Sequence, residues 1–118
     1  MRRISVGTGA ALAVAAAAGA VLLAQGSSVA TGPGCLAVHA RATELVLEGD
    51  RATGAALATQ AQGKAAFRAA NRPAVATLLA GYRMVAADPE CFDADERSGV
   101  DLQVLHLENL LRTYDSAS

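Results

Sequence analysis

The chain is poor in the residues that commit a small protein to a particular chemistry. It has two cysteines, two histidines and three prolines in 118 residues, and no tryptophan. Neither Cys35 nor Cys91 has a second Cys or His at a zinc-finger spacing, so the usual tetrahedral zinc site is not expected. Cys35 and His39 do fall four apart, on one helical face, but as an isolated pair. No stretch alternates apolar and polar residues with period two, and turn pairs such as Asn-Gly are missing, which argues against a sheet. A Gly-x-Ser-x-Gly elbow and a glycine-rich phosphate loop are absent, and neither histidine has a carboxylate at a spacing that would orient it. An enzyme is not expected. The acidic run over 88–96 lacks the spacing and central glycine of an EF-hand. It reads as a solvated loop with charges at a helix N-terminus.

What is present begins at the first residues. Arg2 and Arg3 precede 21 residues, 4–24, without a charge. A basic start followed by an apolar core is an export signal. The core is longer than the ~7–15 residues of a cleaved signal and near the ~20 that span a bilayer. Two readings stay open: cleavage after Ala30, favoured by the small residues Ser28 and Ala30, or retention of 1–30 as a membrane anchor. In either case membrane contact comes only through residues 4–24, and the rest lies outside the cytoplasm. Beyond residue 30 the chain carries eight basic and eleven acidic residues, net −3. Nucleic acid, which needs clustered basic charge, is not an expected partner.

Eighty-eight residues follow Ala30, enough for one small domain. Residues 31–34 read as a linker and 35–118 as the domain. A core this small is marginal, and exported domains of this size often carry a covalent tie. Cys35 and Cys91, outside the reducing cytosol, supply one as an intrachain disulfide. An intermolecular bridge and two free thiols are the alternatives.

Residue periodicity predicts an all-α fold, a small irregular bundle of about four helices behind the signal or anchor helix. The first helix covers 36–48 and stops at Gly49. A second, capped by Asp50, reaches about residue 70. A third follows Asn71, with Pro73 in its first turn, and ends near 88–89. The fourth is introduced by a Ser98–Asp101 capping box and runs to about Tyr114. Leu36, His39, Ala40, Thr43, Val46 and Leu47 share the inner face of the first. Val75, Leu78, Leu79, Tyr82, Val85 and Ala86 share that of the third, and Val100, Val104, Leu107, Leu111 and Tyr114 that of the fourth. Leu102 and Leu105 point away from this last stripe, so the fourth helix is either deeply packed or carries a contact surface. The second helix, with only Leu57 and Phe67 as large apolar residues, is expected to be the mobile element. Three helices in alternation would put Cys35 and Cys91 at opposite ends, about 20 Å apart. Bridged cysteines need Cα atoms within ~7 Å. A first helix lying across the bundle is the preferred way out.

Two polar residues stand on apolar faces. His39 and Tyr82 are the candidate cofactor ligands, since imidazole and phenolate both serve as axial ligands of haem iron. A plain core role for each is the alternative. The Pro-Gly-Cys start at 33–35, the alanine-rich helices, and the Phe67-Arg68-Ala69-Ala70-Asn71-Arg72-Pro73 segment leading to Cys91 together resemble the actinobacterial haemophore-like secreted proteins. The resemblance covers 35–91 and implies a small secreted helical protein related to haem binding. Haem-binding members carry a Tyr-x-x-x-His-Pro segment between the cysteines that this chain lacks. His39 and Tyr82 therefore come from helical faces, not from the family. Two functions are expected in order: an exported helical binding protein for an apolar ligand, with haem the candidate, and a secreted or cell-surface interaction module. The second would use Leu102 and Leu105 to hold a partner protein or another copy.

Overall fold

The computed structural model describes residues 33–117, so the expected signal or anchor over 1–30 lies outside the described residues. What is described is all helical, with no strand. There are three long helices rather than four: α1 (Pro33–Leu57), α2 (Lys64–Ala87) and α4 (Val100–Ser116), with a single-turn α3 (Ala94–Arg97) before the last. Short 3₁₀ turns, Gln60–Gln62 and Pro89–Cys91, join them. No helix among the described residues is long and apolar enough to cross a membrane.

The expected breaks at Gly49 and Asn71 do not occur. Gly49 lies inside α1, where that helix passes close against Leu78 of α2. A Cβ there would sit 2.6 Å from Leu78 Cγ and 3.0 Å from its backbone nitrogen. From α2, Gly81 makes the matching approach, its missing Cβ 2.9 Å from Val46 Cγ2 and 3.2 Å from the Ala42 carbonyl oxygen. A glycine in a helix costs about 1 kcal/mol relative to alanine. Burial of Leu78 and Val46, each worth ~1.5–3 kcal/mol, outweighs that cost. Pro73, too, sits inside its helix rather than in a first turn. Pro73 and Ala69 are both exposed, so the carbonyl that loses its donor stays within reach of water. The true break is at 58–63. It closes on Gly63, whose φ of 114° suits a residue without a side chain. The stretch expected to be one mobile helix, 50–70, is thus the end of α1, a turn and the start of α2.

Merging the helices also settles the cysteines. With two long helices between them instead of three, Cys35 at the start of α1 and Cys91 just past α2 fall at the same end. They are bonded, with Cα atoms 4.9 Å apart. The preferred crosswise first helix is therefore wrong. α1 runs antiparallel along α2, since Ala42 and Val46 meet Gly81 while Gly49, further on, meets Leu78. The tie closes a separation of 56 residues, worth on the order of 4 kcal/mol in the chain-entropy view.

α2 is the shared element, packed on α1 along one side and on α4 along another, while α1 and α4 barely meet. The buried stripe of α1 is His39, Ala42, Val46, Gly49, Thr53 and Ala56, at alternating intervals of three and four. Leu36, expected on this face, is 53 % exposed, and Ala40 is exposed as well. The α2 stripe holds as expected from Val75 to Val85, but Ala86 is exposed. α4 buries Val100 and Leu107, with Gln103 between them. Its N-cap is Gly99, in the left-handed conformation and without a side-chain bond. The capping box forms one element earlier, on α3, between Asp93 and Glu96.

Candidate functional site

The chemistry gathers at the disulfide end. One turn past Cys35, His39 points inward, 7 % exposed. Its Nε2–H donates to Glu96 Oε2 over 2.6 Å, and the Glu96 side chain is fully buried. The other ring nitrogen, Nδ1, faces the Thr43 hydroxyl at 3.5 Å, the outer limit of a hydrogen bond. The imidazole stacks on Phe92, with centroids 5.1 Å apart and planes 27° from parallel. Phe92 follows Cys91 directly and is completely buried.

Glu96 is positioned from its own side. Its Oε1 accepts the Asp93 backbone N–H at 2.9 Å, and Asp93 Oδ1 accepts the Glu96 N–H at 2.8 Å. This reciprocal cap leaves Oε2 aimed at α1. Arg97, next in the chain, donates to the carbonyls of Phe92 and Pro89. Thus disulfide, stacked rings, buried imidazole–carboxylate pair and capped turn form one clasp between α1 and the segment after α2. The acidic run expected to be a solvated loop is partly interior: Cys91, Phe92 and Glu96 are buried.

Hydroxyl, imidazole and carboxylate here stand in the order of an acyl-transfer relay. Thr43 is half-buried and stands one turn after His39 on the same helix, its hydroxyl at the outer limit of hydrogen bonding from Nδ1. What the pair does is hold two segments together at a buried point.

Tyr82 belongs to the same core, on α2. It is 1 % exposed, and burial first, then the negative charge of Asp50, raises its phenol above the ordinary range. A neutral phenol is favoured, which opposes a phenolate ligand. The two candidate ligands thus have different neighbours: Glu96, Thr43 and Phe92 for one, the Asp50 charge for the other. Burial also pushes the Asp50 carboxyl up to about 6. The segment that carries the family resemblance falls inside α2. Phe67 is half-buried, and Asn71 donates its side-chain N–H to the Tyr114 hydroxyl at 2.9 Å, tying α2 to α4.

The outer face of α4 is the other notable feature. Leu102 is 72 % and Leu105 52 % exposed. They lie opposite Val100, Gln103 and Leu107, which face α2. A half-open groove of about 300 Å³ runs between the end of α2 and the start of α4, lined by Val85, Ala86, Pro89, Arg97, Val100 and Asp101.

Sequence reasoning missed Glu96 and Phe92 as partners of His39. They are 57 and 53 residues away from it, and no local spacing connects them. One signal was present: Asp93 and Glu96 stand three apart, the spacing of a capping box, just after a cysteine. No protein-family model, no curated protein and no solved structure matches this chain.

Proposed function

We propose that the chain is an exported binding module whose working surface is the outer face of α4 and whose partner is a protein. The observation that carries this reading is the exposure of Leu102 and Leu105, 72 % and 52 %, on a helix whose opposite face is already packed. Adjacent exposed leucines on one helical face are the raw material of a helix-mediated contact. Export is supported by Arg2 and Arg3 before the uncharged run, and by a disulfide that needs an oxidising compartment. The reading accommodates both a released protein and one tethered by residues 4–24.

The small-molecule reading, with haem held by His39 and Tyr82, draws less support. His39 is engaged by Glu96 and Thr43, and Tyr82 is fully inside the core with a phenol that resists ionisation. Opening either site costs buried contacts before any ligand is bound.

A photo-activated cross-linker in place of Leu105, in the full chain expressed and exported by its own cells, tests the proposal. A discrete protein adduct is expected from position 105 and none from Ala55, which is exposed on α1. No adduct at position 105 sinks it. A Soret shift when haem is added to the wild-type protein, abolished in His39→Ala, would return the argument to the ligand reading.

A further inference from the structure

The charges on α4 say what kind of partner its outer face fits. Besides His106, α4 carries four acidic or basic side chains: Asp101, Glu108, Arg112 and Asp115. Two of them bind α2, Glu108 to Arg83 at 2.7 Å and Asp115 to Arg72 at 2.8 Å. The other two, Asp101 and Arg112, have no opposite charge within bonding distance among the described residues, and both are exposed. They stand at opposite ends of the helix with opposite sign. Among the described residues the Arg112 guanidinium bonds only to Asn109, one turn back on the same helix.

Between them runs a seam. Leu102, Leu105, Asn109, Arg112 and Ser116 follow at intervals of three, four, three and four, the spacing of positions that meet across a helix pair. The face is thus acidic, then apolar, then polar and basic. Resting on the reading of this face as the working surface, we propose that its partner is a second copy of the chain, docked antiparallel through α4. A two-fold axis level with residue 107 sets the 102–105 half of the seam against the 109–112 half of the second copy. Leu105 meets Asn109 of the second copy, with the two Leu105 side chains adjacent across the axis. Leu102 lies along the aliphatic stem of the other Arg112, whose guanidinium then reaches Asp101. Two symmetric Asp101–Arg112 pairs close the ends. A parallel arrangement would set Asp101 on Asp101 and Arg112 on Arg112, and like charges across a contact oppose it.

The seam belongs to a single helix of 17 residues. An interface of that size falls in the weak, reversible class.

Sedimentation of the purified full chain, from micromolar to about 1 mM, tests the proposal. Wild type is expected to move from one copy to two as concentration rises. Leu105→Glu should stay a single copy, and so should Asp101→Arg and Arg112→Asp, each of which sets like charges together. Mixing these two charge variants in equal amounts should restore association, because every pair is again opposite in sign. All three positions are exposed, and far-ultraviolet circular dichroism checks that each variant is folded. Wild type that remains a single copy at every concentration overturns the proposal. So does association that survives in Leu105→Glu, or a mixture that fails to recover. The cross-link from position 105 separates this failure from that of the broader reading. An adduct at twice the chain mass supports the second copy. An adduct of any other mass keeps α4 as the working surface but removes self-association, and no adduct removes both.

Discussion

If the clasp is the unit described, its two polar members must be coupled. Replacing Glu96 with leucine leaves the His39 Nε2–H without its acceptor at a buried site, a cost of about 1–3 kcal/mol. It also takes the Oε1 acceptor from the Asp93 backbone N–H, for roughly 0.5–1 kcal/mol more. A loss near 3 kcal/mol is expected for Glu96→Leu. His39→Phe keeps a ring against Phe92 but strands a carboxylate whose side chain is fully buried, worth about 3–5 kcal/mol. The double variant removes both polar groups and fills the space with apolar atoms. It should therefore lose far less than the sum of the singles, leaving a coupling of about 2–3 kcal/mol. For a small domain near the low end of the 5–15 kcal/mol range, this is a large fraction of the total. Urea unfolding followed by circular dichroism, with the disulfide intact, reads it directly. At a slope of about 1.5 kcal/mol/M, each single variant shifts the midpoint by roughly 2 M or more. Additive effects, with a coupling under about 0.5 kcal/mol, would refute the claim that the pair acts as one clasp.

Two further outcomes follow from the core. Gly49→Ala should destabilise by about 1–3 kcal/mol, since its Cβ would meet Leu78 at 2.6 Å. Gly54→Ala, on the same helix with nothing within 4 Å of the new atom, should gain up to about 1 kcal/mol from propensity alone; thermal melts of the two variants should therefore move in opposite directions. Asp50 has its folded pKa raised from 3.8 to about 6 by burial, so the folded chain holds that proton to higher pH than the unfolded one. Its contribution is fully favourable below pH about 4 and declines as pH rises through about 6. Asp50→Asn should accordingly stabilise at pH 8 and make little difference at pH 4, by on the order of 1 kcal/mol once solvent screening of this half-buried group is allowed for; equal effects at both pH values would contradict the assignment.

Much of the helical architecture was legible in advance. The inner faces of α2 and α4 were readable from apolar spacing, because a stripe recurring every three or four residues has only one side to bury. Val75, Leu78, Leu79, Tyr82 and Val85 are buried together as that spacing required; Leu102 and Leu105, for which it left deep packing or a contact surface open, lie exposed. The boundaries were not legible. Gly49 looks like a stop and Pro73 like a first-turn residue by local propensity, yet both lie within helices. Their penalties of about 1 and 3 kcal/mol are smaller than what the two long helices recover by packing along their full length. The α1 stripe was misjudged for the same reason. A helix cut at Gly49 hides the heptad-like run from His39 to Ala56, half of it small residues that carry little hydrophobic signal. His39 was recognisable as an inward residue, but its partner was not, because Glu96 reads locally as one more acid in a charged loop.

Composition and residue order alone point to helices, to a disulfide as the first reading of two exported cysteines, and to two leucines off the packed stripe of the last helix. Each of these is a local or a counting property: a period, a pair with no rival, a face with nowhere left to turn. Tertiary structure alone decided at which end the sulfurs meet, why glycine lies at mid-helix, and which carboxylate the histidine holds. These depend on how many times the chain reverses direction, and a single turn placed at 58–63 instead of at 49 and 71 exchanges one end of the molecule for the other.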